Sequence, residues 1–340
     1  MKIAIHHSEG SFSERWITYC QSYKIPYKLV NCYDTDIVNQ VEDCDALMWH
    51  YHHANYKDRL FAKQLLFSIE QAGKVAFPNF NTAWHFDDKV GQKYLLESIG
   101  TPFVPSYAFY EKSEALIWIE NTTYPKVFKL TGGAGSRNVK LVKNKKQAKS
   151  LVKRAFGRGF PAYDSWYYWK ESVNKKAFLL NNFLEVLRGL KRGLFPSSDL
   201  SLLRNEKGYV YFQEFLPGNK SDVRIIVIGD NAFAIERYVR PNDFRASGSG
   251  RIHYLDDKDI NLECLRIAFE TSEKLKSKCL AYDFVLNSQG EPLIVEISYG
   301  FASMAYNSCK GYWNKDFTFF RGSFNPHDWM VECVIREINK

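Results

Sequence analysis

The chain has 340 residues, 45% of them hydrophobic, and a formal net charge of +8. That apolar content suits two or three packed units and excludes a disordered polyelectrolyte, and no apolar run approaches the length of a membrane span. Seven cysteines lie scattered without a Cys-x-x-Cys pair, which argues against a disulfide framework and against a structural zinc site.

The first 80 residues predict a small α/β unit. Strands are expected at Lys2–His6, Tyr27–Asn31, Ala46–Trp49 and Val75–Phe77, with helices at Ser13–Tyr23 and Lys57–Ala72. Strands alternating with helices at this spacing imply a parallel sheet. Ligands of such sheets lie beyond the carboxyl ends of the strands. That rule selects His6, His7 and the loop Ser8–Ser13 after the first strand, and His50, His52 and His53 after a later one. The histidines suit substrate contacts or plain surface and structural roles. They lack the carboxylate or thiolate that a transition-metal site usually adds. Ser11 and Ser13 are candidate substrate contacts, although a helix N-cap explains one of them equally well. The opening MKIAIHHSEG lacks a basic-then-apolar leader pattern, so a soluble, cytoplasmic protein is expected.

From Trp84 the character changes. Phe86-Asp87-Asp88-Lys89 opens an amphipathic helix, Val90–Ile99, stopped by Gly100 and capped by Asp87 or Asp88. Lys89 is electrostatically misplaced at a helix start, where the dipole is positive, unless an anion lies beside it. A strand (Val104–Tyr110) and a helix (Ser113–Asn121) follow. The next strand, Lys126–Leu130, sets Lys129 in an apolar VFKL run, which is costly unless the ammonium meets an anion. The loop Thr131–Asn138, reading TGGAGSRN, carries Gly132, Gly133, Ala134, Gly135 and Ser136 ahead of a strand at Val139–Val142. Its backbone N–H groups suit phosphate oxygens. A tight hairpin would use the same glycines, and the Walker pattern is absent.

The positive charge is concentrated downstream: Lys143–Arg192 holds 13 Lys/Arg against three acids, Asp164, Glu171 and Glu185. A basic segment favours an anionic partner, or it is the solvated face of the helix Lys145–Phe156. Residues 157–208 interleave aromatics with Arg and Lys. That composition serves base or sugar stacking, or ordinary packing. Tyr209–Phe215 is a strand that breaks at Pro217-Gly218, leaving backbone groups near Gln213, Glu214, Phe215 and Leu216 for a base edge. Asp222-Val223-Arg224 opens another strand, which turns at Gly229-Asp230 and returns as Ala232–Tyr238. Arg224, Arg237, Arg240 and Arg245 then crowd a loop, DFRASGSG, that includes Ser247 and Gly248. Such a cluster suits an oxyanion or phosphate clamp, or exposed arginines on an edge.

Leu262–Lys276 is an amphipathic helix leading to a hairpin, Ala281–Leu286 and Leu293–Ile297, with the tail Phe317–Lys340 closing in a helix. A turn near Ser288–Gly290 sets Asp283 opposite Glu296. Two buried carboxylates stay ionised together only with a cation between them, and Mg²⁺ with phosphate oxygens supplies one. An ordinary hairpin with solvent-facing acids is the other reading.

In this order the motifs resemble those of the ATP-grasp superfamily of carboxylate–amine ligases: Lys89, PKVFK, the glycine loop, QEFLPG, DVR, the Ser/Gly loop with Arg245, then Asp283 and Glu296. The resemblance runs from about Trp84 to Ser298. It implies an α/β (α+β) chain with a Rossmann-like unit at 1–83 and an ATP-grasp unit at 84–340. The latter would divide into a lid at about 104–215, interrupted by 157–208, and a Mg/ATP subdomain at about 216–340. It implies that Lys89 and Lys129 hold ATP phosphates under a lid formed by Gly132–Ser136. Gln213, Glu214 and the Phe215–Leu216 backbone would meet adenine, and Asp222 the ribose. Asp283 and Glu296 would carry one or two Mg²⁺ or Mn²⁺ ions. Ser298 stands where the family usually has asparagine.

The implied reaction turns a carboxylate into an acyl phosphate with ADP release and then joins it to an amine. Arg224, Arg237 and Arg245 would steady the charge, and Ser247 and Gly248 would meet substrate. The expected partners are a small or glycan-linked carboxylate and an amine, with surface-polysaccharide synthesis one setting and a homodimer allowed. A kinase of the same fold and a non-catalytic nucleotide- or RNA-binding protein are the alternatives. Retention of both carboxylates and both lysines speaks against the second, and nucleic acid is not the favoured partner.

Overall fold

The computed structural model describes residues 1–53, 55–132, 138–161 and 205–340. Gly133, Ala134, Gly135 and Ser136 of the glycine loop, and most of the basic-aromatic segment, lie outside the described residues.

The chain begins with β1 (Ile3–His6), α1 (Ser13–Ser22), β2 (Tyr27–Val30), α2 (Ile37–Gln40), β3 (Ala46–Trp49), α3 (Tyr56–Gln71) and β4 (Val75–Phe77). The strands form a parallel sheet in the order β2-β1-β3-β4. β1 and β3 are buried along their whole length, as strands covered on both faces must be. His6 and His50 fall at and just beyond the carboxyl ends of β1 and β3. The loop between β3 and α3 is fixed from below: Asn55 caps α3 by accepting from Lys57 N–H, and buried Asp58 accepts the His52 N–H at 2.6 Å.

Next come α4 (Phe80–Ala83), α5 (Lys89–Ser98), β5 (Ser106–Phe109), α6 (Lys112–Asn121), β6 (Lys126–Lys129), β7 (Lys140–Val142), α7 (Lys145–Ala155) and β8 (Val210–Glu214). Their strands make an antiparallel sheet, β5-β8-β6-β7, with a core of its own around Ile119, Phe128, Val152 and Phe212. The glycine loop joins β6 to β7.

The remainder is β9 (Ser221–Ile228), β10 (Asn231–Tyr238), β11 (Ile252–Tyr254), α8 (Leu262–Leu275), β12 (Cys279–Leu286), β13 (Pro292–Ser298), β14 (Gly311–Asn314), β15 (Phe319–Arg321) and α9 (Pro326–Ile338). The sheet runs β13-β12-β9-β10-β14-β15, with β11 pairing on β10. α8 buries Cys264, Leu265, Ala268, Thr271 and Leu275, the three-and-four spacing of a single helical stripe. Two continuous cores join this sheet to the first unit. In one, Leu47 and Leu66 share a cluster with Ile225 and Leu280; in the other, Ile5 and Trp16 share one with Ile226 and Phe233. The middle sheet alone packs separately. Among the described residues no helix is long and apolar enough to cross a membrane.

The edge hairpin β14–β15 is sterically tight. A Cβ added at Gly311 would collide with Phe320 O and come within 2.6 Å of the Phe319 ring. Gly311→Ala is therefore expected to cost about 2 kcal/mol, the usual scale of overpacking. A urea titration reads it as a lowered midpoint with an unchanged slope, and an unchanged midpoint would show that the hairpin yields freely.

Candidate active site

Alternation along the large sheet brings distant charges to one face. β9 carries Asp222 and Arg224, β10 Arg237, β12 Asp283 and β13 Glu296. In register, Asp283 lies opposite Glu296 on one side and opposite Arg224 on the other, and Arg237 lies opposite Asp222. These side chains border a cavity of about 750 Å³ that is lined also by the middle sheet and by the loop after β3.

Arg237 is the bridge. It donates through Nε to Asp222 Oδ1 at 2.7 Å and through Nη2 to Oδ2 at 2.8 Å, and Nη2 also lies 2.9 Å from Asp283 Oδ2. Arg224 Nη1 lies 3.2 Å from Asp283 Oδ1, and Nη2 donates to Gly300 O. Burial pushes the Asp222 carboxyl up to about 6 against the pull of Arg237. Burial raises Asp283 as well, but Arg224 and Arg237 outweigh it and hold that carboxyl below its ordinary range. Asp283 Oδ1 and Arg224 Nε are buried and form no hydrogen bond.

Lys89 enters from the start of α5. Asp88 takes the cap, accepting from Gly91 N–H, while Asp87 adopts the left-handed conformation (φ +56°). Asp87 meets the lysine: Lys89 Nζ is 2.9 Å from Asp87 Oδ1 and 3.0 Å from Glu296 Oε1, and the lysine is only 3% exposed. Burial alone would lower this ammonium, yet Glu296 and Asp87 hold it above its ordinary range. The lysine that is misplaced for the helix dipole is thus neutralised by two carboxylates.

Lys129 differs. At the end of β6 it is 5% exposed, lines the cavity and has no hydrogen bond or ion pair among the described residues. Burial lowers its ammonium to about 8. A buried, unpaired ammonium is costly, so the cavity at this point is built for an anion.

No family model matches the sequence, and no curated protein matches it. Solved structures do. The D-cycloserine synthetase DcsG is similar at a TM-score of 0.60 and 12% identity, over 99% of this chain and 100% of that one. D-alanine–D-alanine ligase from Bacillus anthracis gives 0.57 and 12%, over 100% and 98%. The ATP-grasp ligase PsnB gives 0.57 and 11%, also over 100% and 98%. The chain has the ATP-grasp fold. At these identities the likeness establishes fold and nothing finer.

Within the ATP-grasp fold the remaining sequence candidates fall as follows. Gln213 is buried and donates to Ser106 Oγ, while Glu214 is paired with Lys126 at 2.7 Å and accepts from Tyr107 OH. Phe215 and Leu216 line the cavity. Gly132 marks the root of the glycine loop, which is pinned there: Lys89 N–H donates to Thr131 O, and Thr131 N–H donates to Tyr209 OH. Arg245 is engaged by Asp243 at 2.6 Å, and Ser247 and Gly248 line the cavity. Arg224 and Arg237 meet on Asp283, whereas Arg240 braces the loop through Ser247 O.

Ser11 and Ser13 do not line the cavity. Ser13 is wholly buried, donates to Ser8 O, accepts from Ser8 N–H and lies 2.6 Å from Ser11 Oγ, so both hydroxyls tie the loop to itself. His50 does line it, stacked on Phe12 with ring centroids 3.7 Å apart and planes 2° from parallel.

Sequence reasoning missed two residues. Asp87 was visible only as a rival cap. Tyr209 gave no signal, since a tyrosine opening a strand is ordinary.

Among the described residues no group of three or more His, Cys, Asp or Glu side chains is placed to hold a metal. That excludes a self-contained cage among those residues, but Mg²⁺ commonly takes one or two carboxylates and completes its shell with phosphate and water. Asp283 and Glu296 fit that pattern, with Asp283 Oδ1 left without a hydrogen bond. Ser298 Oγ donates to Gly300 O at 3.1 Å, which leaves its lone pairs toward other groups.

Proposed function

We propose that the chain is an ATP-dependent ligase that activates a carboxylate as an acyl phosphate and joins it to an amine. The observation that carries this reading is Lys129: a buried cation whose ammonium has no hydrogen bond or ion pair among the described residues, lining a cavity whose neighbouring wall holds the Asp283–Glu296 pair. The fold is shared with a D-alanine–D-alanine ligase known in complex with ATP and with PsnB in complex with Mg and ADP.

In this reading Lys129 and Lys89 hold the β- and γ-phosphates. Gly132 roots the covering loop, and the Gln213–Leu216 edge receives the base. Asp283 and Glu296, with Ser298 at the third position, would hold Mg²⁺, which would neutralise phosphate charge. Asp222, with both oxygens engaged by Arg237, serves to fix that arginine rather than to meet a ribose.

A carboxylate oxygen of the substrate forms a bond to the γ-phosphorus as the bond to the β-bridging oxygen breaks, releasing ADP. The amine nitrogen then bonds to the acyl carbon, phosphate leaves with the bonding pair, and the nitrogen loses a proton to solvent. Arg224, which lines the cavity, would stabilise the charge on the carbonyl oxygen. Such catalysis rests on positioning and neutralisation more than on covalent chemistry.

Hydroxylamine can replace the unknown amine. With MgATP, hydroxylamine and pooled carboxylic acids, the expected products by mass spectrometry are one hydroxamate and ADP. AMP in place of ADP would mean adenylation and sink the acyl-phosphate mechanism.

A further inference from the structure

The reading above leaves the acid unnamed, and the cavity narrows the choice. Every carboxylate that lines it is already committed to a cation of the protein. Asp87 and Glu296 share Lys89 at 2.9 and 3.0 Å, and Glu214 holds Lys126 at 2.7 Å. Asp222 and Asp283 share Arg237 at 2.7 and 2.9 Å. A substrate ammonium would compete with these cations, and with the Mg²⁺ that Asp283 and Glu296 would hold, for every carboxylate lining the cavity, and a buried ammonium left unpaired is strongly disfavoured.

What the wall offers instead is donors. Arg224 lines the cavity as a guanidinium. His50 adds a second donor whose tautomer is fixed by the backbone: Phe12 N–H donates to His50 Nδ1 at 3.1 Å. A nitrogen that accepts carries no proton, so in the neutral ring the proton sits on Nε2. Burial lowers this imidazole to about 3, with His52 and His327 adding to the effect, so the ring stays neutral at ordinary pH. The flat stack on Phe12, itself packed against Phe301 and His327, holds the ring in place. Nε2 makes no hydrogen bond among the described residues, and the half-buried ring borders the cavity beside Phe301.

Resting on the ligase reading, we infer that the acid activated here carries oxygen acceptors and no free ammonium group, as a hydroxy acid or a uronic acid does, and that His50 Nε2–H donates to one of its oxygens. A site built from donors accepts such oxygens and rejects a charged amine in their place, because the amine would face other donors and lose its water.

The test runs the hydroxylamine trap with two matched pools. One holds glycolate, D- and L-lactate, D-glucuronate and D-galacturonate; the other holds glycine, D- and L-alanine, D-serine and L-glutamate. Hydroxamate with ADP from the first pool alone is the expected result. An amino-acid hydroxamate with ADP overturns the substrate class and leaves the ligase standing. Neither hydroxamate nor ADP from both pools overturns the two together. With the reacting acid as probe, His50→Phe raises its KM by roughly 10- to 100-fold, the weight of one buried hydrogen bond. The KM for ATP stays unchanged. His50→Gln, which keeps an N–H at similar reach, restores the acid KM to within about fivefold. An unaltered acid KM in His50→Phe, or equal loss in both variants, removes His50 from this role.

Discussion

Asp283→Asn is expected to lower the rate of acyl-phosphate formation by about a thousandfold, and at the same time to destabilise the protein by about 3 kcal/mol. The two effects have separate origins. Asp283 is the carboxylate on which Arg224 and Arg237 converge, and its side chain is largely buried. Asparagine keeps the shape but removes the charge. Arg237 retains Asp222 as a partner, whereas Arg224 loses the only carboxylate it meets among the described residues and keeps Gly300 O. Breaking one side of a buried pair costs about 3–5 kcal/mol because the stranded charge stays buried. The rate effect follows from losing a cation ligand beside the phosphates, where several kcal/mol of charge stabilisation act. Calorimetric unfolding separates the first effect, and Mn²⁺ binding followed by electron paramagnetic resonance separates the second. Removing the stranded guanidinium as well, in Asp283→Asn with Arg224→Met, is expected to recover part of the stability and none of the metal affinity. Wild-type stability in Asp283→Asn would show that Asp283 is not the counter-ion of this cluster. Wild-type Mn²⁺ affinity would remove it from the metal site.

That cluster was only half legible in the sequence. The hairpin register followed from strand alternation and from Gly290 in the turn, and Asp283 does pair with Glu296. The bulge between Asp283 and Phe284 was invisible, because a single extra residue leaves no mark on a short apolar strand. Lys89 announced itself as a cation at the wrong end of a helix, yet its second counter-ion did not. Asp87 and Asp88 are equivalent as letters, and only the left-handed backbone at Asp87 decides which one caps. The arginines were found as a group, but their partners within the fold were not. Arg237 is consumed by Asp222 and Asp283, a pairing fixed by which strands are neighbours, and neighbours in an antiparallel sheet are not given by spacing along the chain.

Elsewhere the limits were of the same kind. Ser11 lies in the loop after β1 and Ser13 at the start of α1, but the sequence gives no direction for a hydroxyl, and theirs turn inward. β14 lies just ahead of the tail Phe317–Lys340 and β15 within it, and neither was predicted, since three- and four-residue edge strands are too short to show alternation.

Lys129→Met is expected to do two opposite things: to abolish productive ATP binding and to make the ligand-free protein more stable. The lysine is buried with no hydrogen bond or ion pair to its ammonium among the described residues, and burial lowers that ammonium from 10.5 to about 8. A folded-state value below the unfolded one means that the unfolded chain binds the proton more tightly. Below pH 8 both states are protonated and the destabilisation is fully present, about 3 kcal/mol from the size of the shift. Between pH 8 and about 10.5 the folded protein has lost the proton while the unfolded chain still holds it, so stability rises with pH across that window. Methionine fills similar volume without a charge, so the variant should gain stability at pH 7 and lose this pH dependence. Unfolding in EDTA at pH 7, 8, 9 and 10 checks both points. ATP phosphates beside Lys129 would return its ammonium toward the ordinary range, so at pH 8–9 nucleotide binding should take up a proton. Titration calorimetry in buffers of different ionisation enthalpy measures that uptake directly, and Lys129→Met should lack it. A variant less stable than the wild type at pH 7, or nucleotide binding without proton uptake, would mean that Lys129 is satisfied in the ligand-free protein and is not the residue awaiting the phosphates. Burying a cation with no partner among the described residues is a poor choice for stability alone, and in the proposed reading the partner would arrive with the nucleotide.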